Sequence, residues 1–226
     1  MRKTFLAITL FLAFSKAALA QFGNCTASEM RTYVDSATGN TITMLTDTMK
    51  NDRFLYQTDP MWTADGKYLL FRSSSRGNDK EVESTLPNGE KRKWTPTQIY
   101  FIEMATGKII QATEGPNLGS AFLANKTNRM FVSRKEKENW NMYVMDLDKF
   151  FADVKQGKVG KPSAYETFIG TFPTEMGRPG GYAVDCNDDY AYITVEREGT
   201  EEEKERMMKN AFLPESNQPV KIKPTL

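Results

Sequence analysis

The sequence predicts an all-β fold, a partial β-propeller with about three four-stranded antiparallel blades. The same strand–turn–strand pattern occurs as WTADGKYLLF at 62–71, as FLANKTNRMF at 122–131 and as YAVDCNDDYAY at 182–192. The first aromatic residues of these stretches, Trp62, Phe122 and Tyr182, are evenly spaced along the chain. A constant period that is long enough for one four-stranded unit is typical of stacked propeller blades.

Residues 1–20 predict a signal peptide. The cationic start at Arg2 and Lys3 is followed by an apolar run over 4–14 and by small residues at 18–20. This run is too short to cross a bilayer, and none of the later apolar runs is longer. We therefore expect an exported protein, periplasmic or extracellular, with no membrane span.

Composition argues against a nucleic-acid partner. The whole chain has 30 basic and 29 acidic residues, and loss of the leader's Arg2, Lys3 and Lys16 leaves a net charge of −2. Proteins that hold nucleic acid by bulk charge carry a clear excess of basic residues. In an oxidising compartment Cys25 and Cys186 could pair, and the sequence leaves both the paired and the free state open.

Two hairpins carry the same turn. Residues 33–46 (YVDSATGNTITMLT) and 99–113 (IYFIEMATGKIIQAT) alternate apolar and polar side chains around an Ala-Thr-Gly turn. The two turns, at 37–39 and 105–107, lie farther apart than the aromatic residues of successive repeats. The larger separation of the turns indicates inserted residues. We expect the insertion at the polar stretch 77–97, as a surface excursion between strands.

The repeat also predicts the domain layout. After an N-terminal tail at 21–30, an incomplete propeller occupies 31–226, with blade units near 31–60, 61–118, 119–178 and 179–226. Closed propellers have about four to eight blades, and an open ring exposes sheet edges. We therefore expect the N-terminal part of a longer propeller whose C-terminal blades are missing here, with self-association as the alternative.

Several short motifs carry a resemblance to a known family. They are Tyr33-Val34-Asp35, Thr38-Gly39, Leu45-Thr46, Leu55-Tyr56, Trp62-Thr63-Ala64-Asp65-Gly66-Lys67 and Thr106-Gly107. This pattern resembles the TolB-like propeller repeat, and within that group it is most similar to the oligogalacturonate lyase family. The similarity covers residues 31–115 well and the remainder thinly.

The resemblance implies β-elimination on short galacturonate chains. In that family manganese or another divalent metal, held by histidines and glutamines, neutralises the uronate carboxylate while a base removes the neighbouring proton. This chain contains no histidine. We therefore expect no catalytic residue and no metal site within it, and we expect the chain alone to be inactive.

Five residues are the candidates for contact with an acidic oligosaccharide. Tyr56 and Gln57 precede the first inner strand, Arg72 follows it, Arg134 follows the second, and Arg178 lies in a glycine-rich bend. Arginines can clamp carboxylates with paired hydrogen bonds, and a tyrosine ring can cover a sugar face. The alternative for the arginines is that they are solvated charges or charges between blades.

Two other functions remain open. One is a non-enzymatic TolB-like periplasmic scaffold or binding propeller. The other is the propeller domain of a serine peptidase of the prolyl oligopeptidase kind. Histidines and glutamines on further blades would favour the lyase, whereas a Gly-x-Ser-x-Gly segment on an α/β pattern would favour the peptidase.

Overall fold

The fold is taken from a computed structural model that describes residues 22–77, 81–85, 89–172, 179–195 and 219–222. In chain order the elements are β1 (Cys25–Thr26), β2 (Arg31–Val34), β3 (Thr41–Met44), β4 (Asp52–Arg53), β5 (Tyr68–Ser73), β6 (Val82–Thr85), β7 (Lys91–Trp94), β8 (Gln98–Glu103), β9 (Ile109–Gln111), β10 (Leu118–Leu123), β11 (Arg129–Glu136), β12 (Asn139–Asp146), α1 (Leu147–Gln156), β13 (Glu166–Thr171), β14 (Pro179–Val184), β15 (Ala191–Val195) and β16 (Pro219–Ile222).

Most strands belong to three antiparallel sheets, which we name blades 1 to 3. Blade 1 has the strand order β4-β5-β8-β9-β1, blade 2 the order β10-β11-β12-β13, and blade 3 the order β14-β15-β16. Consecutive strands are hydrogen-bonded neighbours in most of these pairs, as expected for short connections. The all-β fold with antiparallel blades is thereby confirmed.

Apolar layers hold successive blades together. Leu70 and Phe101 of blade 1 share one buried layer with Leu123 of blade 2. On its other face, blade 2 contributes Phe131 to a second layer that includes Ile193 of blade 3. Because both faces of these strands are covered, their sequences are nearly continuous apolar runs. Burial of each such side chain stabilises the folded state by about 1.5–3 kcal/mol.

The structural repeat is one residue longer than the spacing of the aromatic residues. The register-equivalent pairs are Trp62 with Leu69, Leu123 with Met130, and Val184 with Ala191. Phe122 and Tyr182 are therefore not the equivalents of Trp62. Because side chains alternate between the two faces of a strand, a shift by one residue exchanges the faces.

The N-terminal residues are part of blade 1. Cys25 pairs with Ile110, so β1 forms a fifth strand at the outer edge of the sheet. The N–H of Gly23 donates to the carbonyl of Gln111 at 2.7 Å. The stretch expected to be a tail is thus anchored over 22–26, and both Cys25 and Cys186 are free and exposed.

Helix α1 links β12 to β13 of blade 2 and packs on blade 1. It begins after Asp146, whose side chain accepts the N–H of Lys149, and it ends at Gly157 with φ 65°. The ring of Phe151 stacks on Tyr68 of blade 1 with centroids 3.6 Å apart. The helix, inserted between two strands of blade 2, therefore packs against the neighbouring blade.

Two hairpins lie outside the blades. The β2–β3 hairpin pairs Tyr33 with Ile42, and β8–β9 pairs Phe101 with Ile110, at the same positions relative to the Ala-Thr-Gly turn. The β2–β3 hairpin thus has the geometry of the two outer strands of a blade. The unit expected near 31–60 consists of this hairpin and β4, which joins blade 1. The β6–β7 hairpin lies within the polar excursion.

Candidate ligand site at the inner strands of blade 1

Two arginines lie directly opposite each other at the end of blade 1 where β4 pairs with β5. Arg53 and Arg72 are register partners, and both are exposed. In such a pair the Cβ atoms are about 4.5–5.5 Å apart and the side chains share one face of the sheet. Their neighbours Asp52 and Ser73 point to the other face.

Among the residues that the structure describes, the arginine pair has no carboxylate counter-ion. No carboxylate of the described residues forms an ion pair with Arg53 or Arg72, although the Nε of Arg53 donates to the Oδ1 of Asn51 at 3.3 Å. Like charges directly opposite each other on a sheet are destabilising. An anion between the two guanidinium groups would relieve this repulsion and accept paired hydrogen bonds.

Arg76 follows β5, packs on the opposite face of these strands and has two carboxylate partners. Arg76 donates to both carboxylate oxygens of Asp52 at 2.8 and 2.6 Å and to those of Glu29 at 2.9 and 2.6 Å. Its side chain is only 5% exposed. Burial disfavours the charge on Arg76, but these hydrogen bonds outweigh burial and raise its pKa. The hydrogen bonds from Arg76 lower the pKa of Glu29 in turn. This network fixes the position of β4 and therefore of Arg53.

Tyr56 and Gln57 lie in the irregular segment that follows β4. Between β4 and the bridge at Trp62 the strand is interrupted by residues 54–60, with a turn in which the N–H of Asp59 donates to the carbonyl of Tyr56 at 2.8 Å. Tyr56 is 66% exposed, and Gln57 and Trp62 are exposed as well. Aromatic and amide side chains thus follow Arg53 closely along the chain.

Arg134 has a different environment from Arg72. It forms a bidentate ion pair with Glu166 inside blade 2, and its guanidinium lies 5.9 Å from the ring centroid of Tyr143. The repeat of the strand register makes Arg134 the equivalent of Ser73, so Arg134 and Arg72 occupy opposite faces of their blades. Arg178 lies outside the described residues.

The structure therefore pairs Arg72 with Arg53, places Tyr56 and Gln57 in the segment that follows β4, and leaves Arg134 in another blade. Sequence reasoning missed Arg53. The only signal for it was an arginine shortly before a predicted strand, and β4 is too short, at two residues, to show a strand pattern.

The described residues do not fit a manganese site. The whole chain has no histidine, and the part of the chain that the structure describes contains no group of three or more His, Cys, Asp or Glu side chains that could hold a metal ion. Within the same part, none of the helices has the length and apolar character needed to cross a membrane.

Stacked antiparallel blades, joined by apolar layers, define this chain as propeller-like. Its fold is similar to a structure described as oligogalacturonate lyase in complex with manganese, with a TM-score of 0.55 and 19% identity over 79% of this chain and 39% of that one. It is also similar to the oligogalacturonate lyase from Vibrio parahaemolyticus, with a TM-score of 0.54 and 20% identity over 78% of this chain and 38% of that one. The chain thus spans about two fifths of the length of these proteins.

At this identity the similarity concerns the fold alone. No protein-family model matches the sequence, and no curated protein matches it.

Proposed function

We propose that this chain binds acidic oligosaccharides and holds a uronate carboxylate between Arg53 and Arg72. The observation that carries the proposal is the direct cross-strand pairing of two exposed arginines without a carboxylate partner among the described residues. The fold similarity to proteins named oligogalacturonate lyases supports the choice of a uronate as the anion.

The chemistry of the pair suits this ligand. A guanidinium donates two parallel N–H bonds to a carboxylate, and two guanidiniums can share one carboxylate. The exposed ring of Tyr56 offers an apolar surface for a sugar face. Neutralising the carboxylate also makes the neighbouring carbon-bound proton easier to remove, as β-elimination requires. We assign substrate recognition to this chain, and we assign no proton transfer to its described residues because they provide neither a metal site nor a histidine base.

A second candidate is a binding propeller without catalysis. The absence of histidine from all 226 residues fits both candidates equally. The two candidates share the arginine site and differ in whether an acidic sugar is cleaved. In both, the leader-like residues 1–20 support export to the periplasm or the medium, which fractionation of the expressing cells would test.

Calorimetric titration with trigalacturonate tests the proposal. Arg53→Gln and Arg72→Gln should each weaken binding roughly tenfold or more, because hydrogen bonds to a charged group contribute about 1.5–3 kcal/mol. The matched control is Arg92→Gln, which removes an exposed arginine from the β6–β7 hairpin and should leave affinity unchanged.

Methyl-esterified trigalacturonate, which lacks the charge, should bind weakly to the unmodified chain. Equal affinity of the Arg72→Gln and unmodified chains would refute the site. Adding manganese and following the absorbance of unsaturated uronate ends separates the candidates, since only a lyase produces it.

A further inference from the structure

Asn51 lies directly before β4, on the face of the sheet that carries the arginine pair. Side chains two positions apart on a strand share a face, so Asn51 is on the side of Arg53. The register that pairs Asp52 with Ser73 places Asn51 opposite Ser74. The Nδ2 of Asn51 does donate to the Oγ of Ser74, at 2.8 Å. Asn51 and Ser74 therefore extend the cross-strand pairing beyond the two arginines.

Three hydrogen bonds to serines hold Asn51 in place. In addition to the bond with Ser74, its backbone N–H donates to the Oγ of Ser75 at 2.7 Å, and its carbonyl accepts the hydroxyl of Ser73 at 3.3 Å. The amide nitrogen is engaged by Ser74, so the amide oxygen is the part of the side chain that remains for another donor. The three serines thus fix both the backbone and the amide orientation of Asn51.

The donor that reaches this oxygen is the Nε–H of Arg53, at 3.3 Å. A guanidinium has five N–H donors, one on Nε and four on the two terminal nitrogens. The terminal nitrogens of Arg53 form no hydrogen bond or ion pair with any of the described residues. With Nε engaged by Asn51, a carboxylate that binds Arg53 with paired hydrogen bonds does so through the two terminal nitrogens.

The amide at position 51 differs in effect from the acid beside it. Asp52, on the other face of the strand, gives Arg76 a carboxylate partner at 2.6 Å and offsets its charge. Asn51 accepts a hydrogen bond from Arg53 but carries no charge. It therefore orients the guanidinium and leaves its full positive charge for an anion.

We propose that Asn51 is a positioning residue of the arginine site, which holds the Arg53 guanidinium with both terminal nitrogens toward the uronate carboxylate. This inference rests on the proposed function of Arg53 and Arg72. Ordering a long side chain when a ligand binds lowers the affinity, and a side chain that is already held in the free protein avoids that loss. The Arg76 network fixes the backbone of β4, and Asn51 fixes the side chain of Arg53 on it.

A double-mutant cycle, measured by calorimetric titration with trigalacturonate, tests the inference. Asn51→Ala should weaken binding by roughly twofold to tenfold, the range expected when one long side chain must be ordered on binding. In the Arg53→Gln background the same change should have no effect, because the side chain that Asn51 orients is gone. Equal losses in both backgrounds would mean that Asn51 only supports the strand pair, and they would overturn the inference.

Asn51→Asp keeps the shape of the side chain and adds a carboxylate beside the Nε of Arg53. This carboxylate competes with the uronate for the guanidinium, so the variant should bind trigalacturonate more weakly than Asn51→Ala does. Asn139→Asp is the matched control, because it makes the same change at an exposed position at the start of β12 in blade 2. The control should leave the affinity unchanged. An equal loss in both aspartate variants would reduce the effect to net charge and contradict the positioning role.

A measurement without ligand separates this inference from the proposed function. In NMR spectra of the free chain, the Nε–H of Arg53 should exchange with water more slowly than that of Arg72, and Asn51→Ala should remove the difference. Equal exchange of the two arginines in the unmodified chain would overturn the positioning role. Failure of the unmodified chain to bind trigalacturonate would overturn the proposed function together with this inference. Binding that depends on Arg53 without coupling to Asn51 would overturn the inference alone.

Discussion

Asp188 of blade 3 accepts hydrogen bonds from both the backbone N–H and the hydroxyl of Thr127 in blade 2, at 2.8 and 2.9 Å. The same carboxylate accepts the N–H groups of Asn125 at 2.7 Å and Lys126 at 2.8 Å. Asp188 is 7% exposed and has a positive φ of 64°. One carboxylate thus satisfies three backbone donors of the neighbouring blade and connects the two blades at their turns.

Replacing this carboxylate should weaken the contact between blades 2 and 3. Asp188→Asn keeps the residue's size and its tolerance of positive φ, but it loses the charge and one acceptor oxygen. We expect the free energy of unfolding to fall by about 1–3 kcal/mol, measured by urea denaturation at pH 7. The exposed neighbour supplies the control, because Asp189→Asn removes the same charge one residue away and should have little effect.

The Asp188 contribution should depend on pH. Burial raises the pKa of this carboxyl, but the hydrogen bonds from Asn125, Lys126 and Thr127 outweigh burial and lower the pKa below its ordinary value. A lowered folded-state pKa stabilises the protein above the unfolded pKa, and this stabilisation disappears as pH falls through the folded-state pKa. The stability difference between the unmodified chain and Asp188→Asn should therefore be constant from pH 7 to pH 5 and shrink below about pH 4. A difference that stays constant down to pH 2 would contradict this account.

Arg76→Met should be strongly destabilising. The substitution leaves Glu29 and Asp52 near the buried position of the guanidinium without their shared cation. Breaking a buried ion pair from one side costs about 3–5 kcal/mol. Denaturant unfolding measures the change. Arg92→Met, which removes an exposed arginine, should lower the free energy of unfolding much less. Equal losses of unfolding free energy in the two variants would show that the Arg76 network does not stabilise β4.

Two glycines with the same backbone conformation should respond differently to alanine. Gly39 and Gly107 have φ values of 72° and 71° and close equivalent hairpin turns. An added Cβ at Gly39 meets open space, so Gly39→Ala should cost only the backbone strain of about 1–2 kcal/mol. At Gly107 the added Cβ would overlap the side chains of Ser28 and Met30. Gly107→Ala should therefore cost roughly a further 1–3 kcal/mol for displacing residues 28–30.

Thermal unfolding of both glycine variants gives the comparison directly. The difference between them isolates the contact of residues 28–30 with blade 1, because the strain term is common to both. Equal melting temperatures would mean that this contact adds nothing to stability.

Phe151→Ala should loosen helix α1 from blade 1. The ring of Phe151 stacks on Tyr68 and meets Phe101 edge-on at 5.1 Å, and Phe151 is buried. Truncating such a phenylalanine typically costs about 3–5 kcal/mol. Phe168→Ala is the control, since Phe168 is 54% exposed on β13 and its loss should cost under about 1 kcal/mol. Denaturant unfolding with equal costs at both sites would exclude the helix as a connection between blades.

The amino-acid sequence by itself determined the all-β class and the position of most strands. The strand after the turn in the repeat at 62–71 corresponds to β5, and the first strand of the hairpin at 99–113 corresponds to β8, because apolar runs bounded by turn residues are a local signal. The repeated Ala-Thr-Gly turn predicted two similar hairpins, and both have the same register. The lack of histidine likewise follows from composition alone.

Only the tertiary structure decided which residues meet. The true length of the repeat, the pairing of Arg53 with Arg72, and the ion pair of Arg134 with Glu166 all depend on strand register. Register is set by long-range pairing and packing between blades, and a shift of one residue moves every side chain to the other face of the sheet. A local pattern can locate a strand, but the choice of partner strand belongs to the whole fold.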